Sequence, residues 1–138
     1  MFLDASIIVA ILGEEDDFQE QKARVVAAGG PYYFSPIVRY EATIALARIR
    51  FGKIRPDDTS LTSAEAVFDY FAKTLQAEEI DISSEIGKGA LQATQTYGKV
   101  VGHKAALNFG DCFSYAAAKA LGVGLLYKGG DFALTDLA

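Results

Sequence analysis

Residues 1–12 read MFLDASIIVAIL, and the order of properties within them decides the fold. Met1 to Asp4 is a short apolar run ending in an acid, the pattern of a buried strand. Ala5 to Leu12 follows as a short apolar helix that Asp4 or Ser6 can cap. The same alternation continues outward. A helix is predicted over Glu14–Ala28, with Phe18, Ala23, Val25 and Val26 as apolar members, stopped by Gly29-Gly30-Pro31. Tyr32–Phe34 reads as a second strand, and Ser35-Pro36 opens a helix to about Phe51, where Gly52 can end it. Thr62–Glu65 matches the T-x-x-E capping pattern before a helix to about Ala77. Ile80–Ile82 reads as a third strand, and Ser83 or Ser84 caps a helix reaching Tyr97-Gly98. Gly98–Gly110 is a loop, a helix runs from about Asp111 to Leu121, and Val123–Tyr127 is a fourth strand. Short apolar strands separated by longer helices imply a three-layer α/β domain, with a central parallel sheet of about four strands flanked by helices and right-handed crossovers.

Composition narrows what such a domain does. The 138 residues suit a single domain, 1–138, with a real core; 51% are hydrophobic and 22% charged, which excludes a disordered chain. Eighteen acidic against thirteen basic residues leave a net charge of −5, which excludes a dominant electrostatic grip on nucleic acid. A phosphate-bearing partner then requires a local basic patch or bound cations. One cysteine and one histidine exclude a disulfide scaffold and the usual zinc sites. No apolar run reaches the roughly 18 to 20 residues of a spanning helix, and the first residues lack the basic flank of a signal peptide. The expectation is a cytoplasmic protein with no membrane partner.

Four acids occupy informative places. In an open parallel sheet, ligands bind beyond the carboxyl ends of the strands. Asp4 and Asp131 follow the first and fourth strands, and each also reads as a helix N-cap. Asp111 lies in the first turn of its helix if Asn108 caps it, where the helix dipole favours an acid. Glu41 has Ile37, Ile44 and Ala45 at i−4, i+3 and i+4, so it either lies on an apolar stripe needing a partner or at the boundary of a rotated helix. If the four meet at one sheet edge, they repel one another, and a hard divalent cation, Mg²⁺ or Mn²⁺, is the simplest partner. Such an ion serves metal-assisted phosphodiester hydrolysis.

These residues also carry a resemblance. The segments F-L-D-A-S (2–6), R-Y-E-A (39–42), L-N-F-G-D-C-F-S-Y-A-A-A-K (107–119) and L-L-Y-K-G-G-D-F-x-x-T-D (125–136) closely resemble PIN-domain ribonucleases, in particular the toxins of VapBC-type toxin–antitoxin pairs. The resemblance implies a parallel sheet of order 3-2-1-4; a full fifth strand is not expected in the short tail after Asp131. It implies Asp4, Glu41 and Asp111 as acidic metal ligands, and Asp131 as a more variable fourth acid. Ser6 matches a hydroxyl residue that supports a ligand carboxylate or water, and Thr135 and Asp136 match the family's trailing T-D. It implies an endoribonuclease using Mg²⁺ or Mn²⁺ to activate a water, leaving 5′-phosphate and 3′-hydroxyl ends. It further implies homodimers held inactive by a cognate VapB-type antitoxin.

Two basic clusters are candidates for gripping RNA: Arg39, Arg48, Arg50, Lys53 and Arg55 on or after the Glu41 helix, and Lys99, His103 and Lys104 in the loop before Asp111. Each also reads as an ordinary solvated surface. Tyr97, Phe109 and Tyr115 either stack on bases or pack inside. Cys112 reads as a small core residue. Phe68, Tyr70, Phe71 and Leu75 give one helix an apolar face suited to the core, a second copy or an antitoxin. Three other functions compete. A receiver-like signalling domain and an Asp-x-Asp phosphatase both want a second acid where Ala5 and Ser6 stand. A catalytically silent PIN-like binding module would not need its acids. A nuclease for structured DNA usually carries larger insertions than 138 residues allow.

Overall fold

A computed structural model describes residues 1–50, 52 and 55–138; the expected helix end at Phe51, Lys53 and the side chain of Arg50 lie outside the described residues. The elements follow in the order β1 (Phe2–Leu3), α1 (Ala5–Leu12), α2 (Phe18–Ala28), β2 (Tyr33–Phe34), α3 (Pro36–Arg50), α4 (Asp58–Leu75), β3 (Glu78–Glu79), α5 (Ser84–Tyr97), α6 (Phe109–Leu121) and β4 (Leu125–Leu126). Short 3₁₀ turns occupy Lys99–Val101 and Phe132–Leu134. The sheet has the order β3-β2-β1-β4, and every pair is parallel. Phe2 pairs with Tyr33 on one side and Leu125 on the other, so β1 is central and Phe2 and Leu3 are fully buried. The chain turns one way from β1 to β2 and the other way to reach β4. That reversal opens a crevice at the carboxyl end of β1.

The helices fall into two packed groups. α1 lies against α2 and α3, and α3 runs along α4; α5 and α6 pack as a pair, and the groups meet where α3 touches α6. The α5–α6 approach is close because small residues line it: a Cβ on Gly89 would stand 3.1 Å from the Ala116 Cβ. The core centres on Phe2, Leu3, Ile7, Ile8, Val38, Phe68 and Phe132, with Phe34 and Phe68 edge-on at 5.1 Å between centroids. Burying each such side chain contributes roughly 1.5–3 kcal/mol. Phe68 is thus interior, Phe71 and Leu75 pack partly against the core, and only Tyr70 of that expected face is largely exposed. Among the described residues no helix is long and apolar enough to cross a membrane.

The Ser35 and Ser83 caps stand as expected, their hydroxyls accepting from the N–H of Val38 and Ile86 at 3.3 and 3.2 Å. Several boundaries differ. α2 begins at Phe18, not Glu14, because Gly13 closes α1 by donating to Val9 O at 2.7 Å and Glu14 then takes φ 54°. α4 begins at Asp58, not at Thr62; Asp57 and Ser60 cap it reciprocally, each N–H donating to the other side chain at 2.8 Å, and Gln76 at φ 52° ends it before Ala77. β3 pairs at Glu78–Glu79 rather than at Ile80–Ile82. Its backbone meets β2 there, while Ile80 and Ile82 are half-buried where the chain leaves the sheet. An edge strand needs only its backbone, so apolar alternation misplaces it.

Candidate active site

Asp4 ends β1 and is 4% exposed. One of its oxygens accepts from the Ser6 N–H at 2.9 Å and from the Ser6 hydroxyl at 2.5 Å. Ser6 Oγ in turn accepts from the Lys128 N–H, just past β4, at 3.0 Å. Asp4 is therefore both the α1 cap and a wall of the crevice, and Ser6 ties the ends of β1 and β4 together. Asp111 behaves alike: its carboxylate accepts from the Asn108 N–H at 2.8 Å, and Asn108 accepts from the Asp111 N–H at 3.1 Å, which starts α6 at Phe109.

Glu41 occupies the boundary. The fully buried stripe of α3 is Val38, Ala42 and Leu46, and Glu41 flanks it beside Ala45. Its carboxylate lies directly on Gly110, where any Cβ would overlap it. Asp131 precedes the last 3₁₀ turn but makes no capping hydrogen bond, leaving its exposed carboxylate for the cleft.

The four acids line one cleft of about 520 Å³ with Ser6, Asn108, Glu15 and Lys128 among its other walls. A larger hollow of about 680 Å³ between α5 and α6 is lined by Glu85, Lys88 and Lys119 and so holds a single acid, whereas the smaller space gathers five. Burial, then the charges of Asp4 and Asp111, push Glu41 up to about 7. Burial likewise pushes Asp111 up to about 6, with the charges of Asp4 and Asp131 adding to it and the Asn108 N–H opposing it. These are carboxylates short of positive charge. Lys128 lines the cleft, but its ammonium contacts Glu15 and lies 2.6 Å from Asp17.

Hard oxygen donors of this kind suit Mg²⁺ or Mn²⁺. No three of the described His, Cys, Asp or Glu side chains converge on one ion position. That spacing is compatible with Mg²⁺, which is commonly held by one or two carboxylates with water completing its shell. The donor set fits such an ion.

The other expected residues divide. Arg39 does not line the cleft: its guanidinium meets Asp69 at 2.5 Å and Glu79 at 2.7 Å and lies over the Phe34 and Phe68 rings. It joins α3, α4 and β3. Arg48 and Arg55 are exposed. His103 orders its loop, accepting from the Ala105 N–H at 3.1 Å and packing edge-on to Tyr97. Lys99 and Lys104 are exposed, and Lys99 borders a hollow adjoining the cleft. Tyr115 donates to Asp136 at 2.6 Å, and Lys119 pairs with the same carboxylate, so Asp136 belongs to α6 rather than to the cleft. Thr135 is buried and donates to Phe132 O. Cys112 is buried, accepts from Thr94 at 3.2 Å, and its thiol is pushed up by burial, as an inert core residue should be.

Sequence reasoning missed Glu15, Gly110 and Lys128 at the site. Glu15 was hidden by the expected helix over 14–28. Lys128 had a signal, since it directly follows a strand on the way to Asp131.

The PIN domain family model matches residues 1–137. A VapC ribonuclease of Rhizobium meliloti is 49% identical over 140 residues, covering 99% of this chain and 98% of that one. Ribonuclease VapC30 of Mycobacterium tuberculosis is 36% identical over 138 residues, covering 100% and 96%. A toxin–antitoxin complex from Klebsiella pneumoniae contains a chain of similar fold, with TM-score 0.68 at 17% identity over 99% of this chain and 92% of that one.

Proposed function

The chain belongs to the VapC ribonucleases of the PIN-domain family, and on that premise we propose that it is a divalent-metal-dependent endoribonuclease, the toxin of a type II toxin–antitoxin pair. The observation that carries the reading is the cleft itself: Asp4, Glu41, Asp111 and Asp131 come from four separate stretches of chain and share one wall-to-wall space. Burial and the neighbouring carboxylates raise Glu41 and Asp111 above the ordinary carboxylate range. A catalytically silent binding module has no use for that electrostatic cost.

Asp4, Glu41, Asp111 and Asp131 would hold Mg²⁺ or Mn²⁺ between them, one or two directly and the others through its water shell. When bound, such an ion makes a water nucleophilic near neutral pH and offsets charge on phosphate oxygens. The protein's own work is positional. Ser6 fixes the Asp4 carboxylate, Asn108 fixes Asp111, and Gly110 leaves room for Glu41. The cleft repels an RNA backbone until its charge is met, so Lys99 and Lys104 outside it supply the remaining attraction. The chain acts in the cytoplasm, and its partners are an RNA substrate, a VapB-type antitoxin and a second copy of itself.

The test is cleavage of a total RNA pool by purified, antitoxin-free protein with Mg²⁺, with Mn²⁺ and with EDTA, beside Asp111→Asn. Discrete fragments with 5′-phosphate ends that need metal and vanish in the variant are expected. Wild-type cleavage by Asp111→Asn, or cleavage undiminished by EDTA, overturns the assignment.

A further inference from the structure

A second hollow, of about 450 Å³, adjoins the acid cleft. Thr94, Lys99, Val100, Leu107, Asn108 and Phe109 line it, and Asn108 is a wall of both spaces. Its rim breaks the usual rule for large apolar side chains. Val100 is 81% exposed and Phe109 69%, with Val101 at 55% beside them. Single exposed apolar residues are ordinary, whereas a contiguous group marks a binding surface.

The backbone holds this group out rigidly. Gly98 and Leu107 form a parallel bridge, Lys99 N–H donates to Leu107 O at 2.9 Å, and Leu107 N–H donates to Tyr97 O at 3.1 Å. Gly102 closes the 3₁₀ turn by donating to Lys99 O at 3.0 Å. The reciprocal cap of Asn108 and Asp111 fixes where Phe109 leaves the helix. The Phe109 ring is braced by Phe113, 4.8 Å away between centroids. Its ordering entropy is therefore met before any ligand arrives.

Resting on the ribonuclease reading above, we infer that this hollow is a nucleobase subsite. It seats one base of a single-stranded RNA against Phe109 and Val100, next to the phosphodiester held at the carboxylates. The chemistry matches: apolar walls and an aromatic face take a base of any identity, and the Lys99 ammonium at the rim meets a neighbouring phosphate. Continuity through Asn108 favours RNA over a protein occupant. A strand with one phosphate in the acid cleft that leaves it past Asn108 runs over the start of α6, where Phe109 stands two residues before Asp111.

The test uses full-length protein carrying Asp111→Asn, so that RNA stays intact, in Mg²⁺. The probes are a labelled, mixed-sequence single-stranded RNA and an abasic ribose–phosphate oligomer of equal length. Adding Phe109→Ala is expected to weaken RNA binding by about tenfold, and Phe109→Tyr to restore it. The abasic oligomer should bind both proteins equally, because it has nothing to stack. Val100→Ser should give a smaller loss of the same kind. RNA binding unchanged by Phe109→Ala overturns the subsite. Unchanged RNA binding with a loss of self-association in sedimentation overturns it too, assigning the face to a second copy. If the wild-type protein in Mg²⁺ neither binds nor cleaves the RNA, the ribonuclease reading falls, and the subsite with it.

Discussion

Removing one charge from the cleft should stabilise the metal-free protein. Asp111 is pushed up to about 6 from 3.8, so its ionised form is disfavoured in the folded chain. At 1.36 kcal/mol per tenfold in proton affinity, that amounts to about 3 kcal/mol at neutral pH. Solvent reaches the half-buried carboxylate, so about half of it, roughly 1.5 kcal/mol, is expected to survive screening. The sign follows from proton counts. Between about 3.8 and 6 the folded chain keeps a proton that the unfolded chain has lost. Stability therefore falls as pH rises through that window, and the penalty is complete above it. Asp111→Asn removes the penalty and keeps the cap, because an amide oxygen still accepts from the Asn108 N–H. It also eases Glu41, whose raised value owes part to Asp111. Thermal unfolding in EDTA should show the variant about 5 °C more stable at pH 8. The gain should vanish below about pH 4. Saturating Mg²⁺ should then reverse the ranking, since ligand at 100 times its dissociation constant adds about 2.7 kcal/mol to the protein that binds it. A variant less stable than wild type at pH 8, or a gain that ignores pH, would refute the electrostatic account and make Asp111 a structural acid.

Gly110→Ala should cost roughly a hundredfold in RNA cleavage with little change in Tm, because the new methyl displaces the Glu41 carboxylate while alanine suits the helix. Equal activity would show that Glu41 can move freely. Ser6→Ala leaves the Lys128 N–H without its acceptor and Asp4 without two-point support; a loss of about 1–3 kcal/mol in denaturant unfolding is expected, with weaker Mg²⁺ binding by calorimetry. Arg39→Ala should destabilise by about 1–2 kcal/mol and leave RNA affinity unchanged, because its charge is spent on Asp69 and Glu79; a weakened RNA affinity in filter binding would return Arg39 to the substrate path.

The alternation of short apolar runs with helices was legible because burial on both faces leaves β1 and β4 few options. Asp4, Asp111 and Asp131 were legible by position, at strand ends or a helix start. What each did there was not. Asp4 proved to be cap and cleft wall at once, a duality that no spacing separates. Glu41 was found from its apolar neighbours, yet the structure turns those neighbours toward the boundary. Arg39 and the loop lysines looked equivalent in sequence. They differ because Asp69 and Glu79 stand 30 and 40 residues from Arg39, and such pairings leave no local pattern. Two of the missed boundaries share a cause: Glu14 and Gln76 take left-handed backbone that glycine would have advertised.

The outermost strand has a consequence for assembly. β3 consists of Glu78 and Glu79, both exposed at the open side of the sheet. A second copy adding the same strand there would gain backbone hydrogen bonds but would bring Glu78 carboxylates together and crowd the Arg39–Glu79 pair. The strand is also only two residues long, so few bonds are on offer to offset that repulsion. Growth of the sheet across molecules is thus closed at this border, protecting a chain with an exposed ladder from fibre-like stacking.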